Sequence, residues 1–294
     1  MHSSTPLQTP PSPASVTPES LSDLVDDVDR FQRDMFGRRD GVSHNDAASG
    51  LLSSEEIWNE LGCGALVAPY FGIIDSATRA IVDGVAETRL VQTRPRRGYA
   101  NAAAVRDRVV SGNILKLAQP EHWHPAIHRL VARLTIELRS EVRSCAYLSP
   151  YGSSGFPAHH DDSHVMLVQL EGQMAWTVGR ATACTHITLQ PGDILYIPQQ
   201  RKHRGVPGTQ GSLHLAITIQ PPTVRDVAEL ALTRFLRSPQ AAEVYGNHQL
   251  MSVEEKIEWL RTTLCSYLSA QDPSQLAKAA SQTRQQKGQA DAGA

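Results

Sequence analysis

Several features that would place a chain quickly in a class are missing from these 294 residues. The four cysteines, Cys63, Cys145, Cys184 and Cys265, are scattered and form no CxxC pair. That argues against a disulfide framework or a zinc knuckle, and for free thiols in a reducing, cytoplasmic setting. No apolar run approaches the ~18 residues needed to span a bilayer, so no membrane role is expected. Residues 1–20 hold no apolar stretch and do not read as a secretory signal. Rich in Pro, Ser and Thr, they are expected to form a disordered leader. An excess of one charge is lacking too: 28 Lys and Arg stand against 30 Asp and Glu. Direct binding of nucleic acid or of an anionic membrane is therefore not implied. There is no internal repeat. What is present, 40% hydrophobic residues over this length, suffices for one substantial core with helical additions.

Periodicity divides the chain. Residues 21–36 place Leu21, Leu24, Val25, Val28, Phe31 and Phe36 at roughly helical spacing. Residues 53–61 and 76–85 read as two more helices, with Ser54 and Asp75 as N-caps. Residues 88–111 are rich in arginine and weakly periodic, and read as a loop that either covers a site or is simply solvated. Within it Arg94, Arg96 and Arg97 form a basic run that suits an acidic group as well as bulk water. Residues 125–142 form a helix with Pro in its first turn and an apolar face of Ile127, Leu130, Val131, Leu134 and Leu138. His124 and His128 there have chelating spacing, but no Glu follows His124, so surface or capping roles are expected.

Beyond this helix the period becomes that of strands. Residues 144–148, 165–171, 173–178, 186–189, 194–197 and 213–219 are short, rich in β-branched or aromatic side chains, and separated by Gly and Pro turns. Such a series suggests a double-sheet jelly roll, so the fold class is mainly β with helical additions. After Pro221 and Pro222, helical spacing returns over 227–236 and 252–268, the latter opened by the box Ser252-x-x-Glu255. From about Ala270 the composition turns to Gln, Ala, Ser and Lys, which reads as a disordered tail. The expected organisation is a leader (1–20), a strand-rich domain with N-terminal helices (21–222), a helical cover or dimerisation region (223–269) and a tail (270–294).

The chemistry concentrates in His159-His160-Asp161, with His203 following a later apolar strand. Residues i and i+2 of a strand share a face, so His159 and Asp161 can chelate one ion, with His203 the third ligand from across the barrel. Two histidines and one carboxylate suit Fe(II). His160 with Asp162 offers the same spacing on the other face, and His164 is a further candidate ligand. Spacing alone does not choose between the registers.

Residues 146–162, 165–172 and 191–198, then His203 and residues 212–215, together resemble the JmjC-type cupin family of ribosomal oxygenases and their bacterial relatives. The resemblance implies a double-stranded β-helix. It aligns the first metal ligand with the His that follows Gly-Phe-x-x, which selects His159, Asp161 and His203. It further implies Fe(II), 2-oxoglutarate and O2, and hydroxylation of a C–H bond with release of succinate and CO2. Substrates implied are side chains of ribosomal or other proteins or peptides, and homodimers occur. Tyr147 matches a tyrosine that hydrogen-bonds 2-oxoglutarate, and His214 and Thr218 fall where the family places polar pocket residues.

One family position is not matched: the basic anchor for the distal carboxylate of 2-oxoglutarate falls on Met174. Cys145 also stands where relatives often carry Asn. A buried carboxylate without a cation or several hydrogen bonds costs several kcal/mol. Compensation could come from Lys116, Arg143 or Arg180, or from Tyr147, Thr218 and a protonated His214. A different co-substrate, or an iron dioxygenase that needs no 2-oxo acid, is the remaining alternative. The leading expectation is thus an Fe(II)- and 2-oxoglutarate-dependent hydroxylase of a peptide or protein side chain. The alternatives are an oxygenase of a free amino acid or natural-product intermediate, and a degenerate metal-binding cupin that serves as an interaction module.

Overall fold

The structure, a computed structural model, describes residues 17–64, 66–180, 183–242, 250–273, 275–277, 279–281 and 283. Most of the expected leader, residues 1–16, lies outside the described residues.

The N-terminal segment is more broken than its periodicity suggests. A 3-10 turn (Leu21–Asp23), a single helical turn α1 (Val28–Arg30) and a π turn (Phe31–Met35) replace one continuous helix. The aspartates explain the breaks. The Asp23 carboxylate accepts from the backbone N–H of Glu19 and Ser20, and that of Asp27 from Arg30 N–H. Both side chains thereby compete with the helical ladder. Leu21, Leu24 and Phe31 are still buried. Strand β1 (Gly41–His44) follows, then α2 (Ser54–Cys63). Its cap is Ser53 rather than Ser54, because Ser53 and Glu56 complete a reciprocal capping box.

The helix expected over 76–85 is absent. The chain forms a hairpin of β2 (Phe71–Ile74) and β3 (Ile81–Val82). Asp75 caps its turn instead of a helix: Oδ1 accepts from Ala77 N–H, Thr78 N–H and the Thr78 hydroxyl. The expected loop over 88–111 is also corrected. It holds a two-stranded ribbon of β4 (Ala86–Val91) and β5 (Arg94–Ala100), followed by α3 (Ala102–Val110), capped by Asn101. Strand β6 (Ile114–Ala118) leads to α4 (Pro125–Glu137), which His124 caps through Ile127 N–H. Helix α4 stops short of Val142, which belongs to the next strand, and Arg139 in the connection has φ +48°.

The core is built by β7 (Glu141–Ser149), β8 (Phe156–His159), β9 (His164–Arg180), β10 (Ala183–Leu189), β11 (Asp193–Ile197) and β12 (His203–Gln220). Strands β9 and β12 are long and pair antiparallel along their length, with a register shift between Pro207 and Ser212. Each contributes to two layers. Residues 212–220 of β12 pair with β7, and residues 165–168 of β9 pair with β11, in the order β1-β11-β9-β12-β7-β6-β2-β3. Their other halves pair with β8 and β10. The two expected strands 165–171 and 173–178 are thus one continuous β9.

Alternation on β12 separates two cores. Leu213, Leu215, Ile217 and Ile219 join the larger cluster with Leu115, Leu117 and the α4 residues Ile127, Leu130 and Leu134. Ala216 lies in the smaller cluster, where Val165, Leu167, Leu195 and Ile197 of one layer meet Met174, Trp176, Val178 and Leu189 of the other. That smaller cluster is the inside of the jelly roll. The bend that carries both strands from layer to layer needs glycine. Gly172 has φ +63° and Gly211 φ +79°, and a Cβ on Gly172 would collide with the Gly211 carbonyl.

The chain ends in α5 (Val224–Leu236), the short α6 (Pro239–Ala242) and α7 (Val253–Ser269). Phe235 meets the rings of Trp259 and Tyr267. The expected disordered tail is corrected where it is described: residues 273, 275–277, 279–281 and 283 are helical, and the Ser281 hydroxyl donates to the Arg139 carbonyl. Alanine-rich composition favours helix once one end is anchored. No helix among the described residues is long and apolar enough to cross a membrane.

Candidate metal centre

His159 closes β8 and His203 opens β12, and the two are Cα partners in the ladder. Asp161 lies just beyond β8. One donor atom from each of the three lies within 4.8 Å of the others, the only such group of His, Cys, Asp and Glu among the described residues. His203 Nε2 stands 3.4 Å from Asp161 Oδ2, and the two imidazoles are 4.3 Å apart at their centroids. Each ring donates Nδ1–H to a carbonyl at 2.9 Å, His159 to Pro157 and His203 to Arg201. That fixes the tautomer and leaves each Nε2 as a lone-pair donor. Gln200 N–H donates to the Asp161 carbonyl at 2.7 Å, which ties the two ligand-bearing loops together. His203 is only 4% exposed, and burial pushes its pKa down, so the ring is neutral and fit for coordination.

The rival register is not assembled. His160 and Asp162 are exposed, and the Asp162 carboxylate takes the Gln200 side-chain amide. His164 is buried elsewhere, its ring tilted against that of Phe36, with Nδ1 accepting from Gln199 N–H.

Aromatic rings wall the space beside the triad. Tyr147 stacks on His214 (5.3 Å, 24°) and meets Phe156 edge-on, and Trp176 lies beside both His203 and His214. Burial, then the neighbouring Cys145, holds the Tyr147 hydroxyl well above its ordinary pKa, so it stays protonated as a donor. His214 is 2% exposed and burial drops its pKa to about 4. A protonated His214 is therefore not available as a cation, contrary to expectation. Its Nδ1 and the Trp176 Nε1 are buried without a hydrogen-bond partner among the described residues. Thr218 lies on the same face of β12 as His214, but its hydroxyl donates to the Arg143 carbonyl at 3.2 Å.

Met174 is fully buried in the interior apolar cluster. Of the bases considered in its stead, Arg143 is exposed and paired with Glu141, and Arg180 is exposed at the β9–β10 turn. Lys116 is half-buried directly across from Tyr147. Sequence reasoning missed Arg79, whose charge is felt at both Tyr147 and His203. The Asp75-x-x-Thr78 turn signal was the clue to its placement.

Residues 116–227 match the family model described as JmjC domain. A bifunctional lysine-specific demethylase and histidyl-hydroxylase NO66 from Branchiostoma floridae is 35% identical over 136 residues, 45% of this chain and 22% of that protein. Ribosomal oxygenase 2 from Rattus norvegicus is 31% identical over 123 residues, 35% of this chain and 26% of the relative. The chain thus spans about a quarter of the length of these relatives. Among solved structures, the Escherichia coli ribosomal oxygenase YcfD aligns over 85% of this chain and 69% of its own, with TM-score 0.55 and 18% identity. The same protein has been solved in complex with cobalt and 2-oxoglutarate (TM-score 0.54). At this identity the likeness establishes a shared fold.

Proposed function

We propose that this chain, which carries a JmjC domain over residues 116–227, is an Fe(II)- and 2-oxoglutarate-dependent dioxygenase that hydroxylates a C–H bond of a peptide or protein side chain. The observation that carries the reading is the convergence of His159, Asp161 and His203 with both Nδ1 protons committed to carbonyls. Two imidazoles and one carboxylate fit Fe(II) and leave coordination positions for a chelating co-substrate and O2. Bound together, iron and the 2-oxo acid would supply the oxidising chemistry, with succinate and CO2 as by-products.

The chain's own part is to hold and to shield. Asp161 offsets part of the ion's charge. The protonated Tyr147 hydroxyl offers a hydrogen bond to an anionic co-substrate. Phe156, Trp176 and the neutral His214 exclude water from one wall. The co-substrate bound by YcfD supports 2-oxoglutarate, and the activities for which NO66 and ribosomal oxygenase 2 are named support a protein side chain as substrate. We place the catalytic unit at residues 21–222. The helices after Pro222 then serve as a cover or dimerisation element. The exposed Val253, Ile257 and Leu260 of α7 favour the second role.

The test is turnover of 2-oxoglutarate to succinate by Fe(II)-loaded protein with ribosomal-protein peptides, read alongside the gain of one oxygen mass on the peptide. The reading expects coupled turnover that disappears in His203→Ala. Stoichiometric iron with no 2-oxoglutarate consumption on any peptide overturns it.

A further inference from the structure

One cation inside the fold has no counter-ion among the described residues. Residues directly opposite in an antiparallel ladder share a face, so the β7 side chains facing the jelly-roll interior identify their neighbours. Tyr147 packs against the interior cluster. Across from it lie Lys116 on β6 and His214 on β12, and across from Lys116 on β2 lies Gly72. One step along, Cys145 faces Ala118 and Ala216. This interior floor is therefore built from small side chains, with one lysine beside a tyrosine. Gly72 contributes no side chain, and a Cβ added there would meet open space.

Lys116 is half-buried and makes no hydrogen bond or ion pair among the described residues. Its charge reaches the Cys145 thiol, where it works against the upward push of burial. Glu121 is also felt there, but its carboxylate is committed to Ser144 through both the backbone N–H and the hydroxyl. A half-buried lysine without a partner, on the face that carries Tyr147 and His214, is placed to receive an anion. On the same row His214 Nδ1 is buried with nothing bonded to it among the described residues, a second polar atom awaiting a ligand. The row adjoins the metal centre through its rings: Tyr147 stacks on His214, and Trp176 lies beside both His214 and His203.

We propose that Lys116 is the residue that binds the distal carboxylate of the dicarboxylic co-substrate, opposite Tyr147 on the interior floor. This rests on the 2-oxoglutarate reading given above. It assigns the cation to β6, whereas Met174 on β9 belongs to the packed apolar interior. The other cation at the site, Arg79, is exposed on the β2–β3 turn, where water screens its charge. Arg143 is neutralised by Glu141.

The experiment is calorimetric titration of Mn(II)-loaded protein with 2-oxoglutarate and with 2-oxobutanoate, which keeps the chelating end but lacks the distal carboxylate. No turnover is needed for the readout. Wild type is expected to prefer 2-oxoglutarate. In Lys116→Met the Kd for 2-oxoglutarate rises roughly 10- to 100-fold while that for 2-oxobutanoate is unchanged, which also shows that the variant is folded. Lys116→Arg recovers part of the preference. A Lys116→Met protein that keeps the preference overturns the assignment, as does loss of the preference in Arg79→Met alone. A wild type that holds Mn(II) and binds neither acid overturns the 2-oxoglutarate reading itself, and this assignment with it.

Discussion

His159 and His203 stand as ladder partners, and each donates its Nδ1 proton to the carbonyl two residues before it in its own chain segment. The two rings are thus oriented by the same local device on two different strands. Neither depends on a distant side chain to hold its tautomer. This arrangement separates the two metal-binding registers experimentally. His159→Ala, Asp161→Ala or His203→Ala should each weaken metal binding by more than the roughly 10- to 100-fold typical of changes to outer partners. His160→Ala and Asp162→Ala should leave it nearly intact. Equilibrium dialysis against Mn(II) distinguishes them, and equal losses in both sets would remove the triad assignment.

Glu121 supports the site from behind. It is 6% exposed, and its carboxylate accepts from Ser144 N–H at 3.2 Å and the Ser144 hydroxyl at 2.5 Å. Removing the carboxylate leaves a buried N–H without a partner. Glu121→Ala should cost about 1–3 kcal/mol in urea unfolding. Ser144→Ala, which retains the backbone donor, should cost less. Equal stability of Glu121→Ala and wild type would show that water replaces the carboxylate.

His214 makes stability depend on acid. Its folded-state pKa is about 4, below the ordinary 6.5, because burial disfavours the charged ring. As pH falls below 6.5 the unfolded chain takes up a proton there and the folded chain does not. The contribution is complete above 6.5 and is lost toward pH 4, by up to about 3 kcal/mol. His214→Phe removes the titrating group and the unpaired Nδ1. Its unfolding free energy should fall less than that of wild type between pH 7 and 4.5. Parallel declines in the two proteins would contradict a neutral buried imidazole.

Much of this architecture could be read before the fold was known, where one face of an element is buried. The α4 stripe and the alternation over 213–219 mark their elements because each packs a single apolar face on the larger core. The i, i+2 spacing marked a chelating pair, but His160 and Asp162 share that spacing, and the choice of His159, Asp161 and His203 came from the family resemblance. The β4–β5 ribbon was not, because residues 94–97 are all exposed and no burial pattern shapes them. Residues 76–85 misled because apolar spacing compatible with a helix was overridden by the local hydrogen bonds of Asp75. Lys116 was one base among several until the ladder set it beside Tyr147, a relationship between strands that no local pattern contains.

Gly172 is the position where backbone conformation decides most. With φ +63° and the Gly211 carbonyl against its Cα, Gly172→Ala should lose about 2–4 kcal/mol. Metal affinity should fall with it, since the bend directs the 203–207 half of β12, which carries His203, toward β8. Unchanged thermal stability in the alanine variant would show that the bend relaxes without consequence.

The register shift between Pro207 and Ser212 gives the molecule a joint with separate consequences on its two sides. Residues 212–220 are locked by β7 and the large core, whereas residues 203–207 answer only to β8 and the outer half of β9. Because strand faces alternate residue by residue, lengthening the 208–211 segment by one would turn His203 away from His159 and leave the deeper packing untouched. Ligand geometry and fold are therefore tuned by different stretches of the same strand. Evolution, or an engineer, can change one while conserving the other.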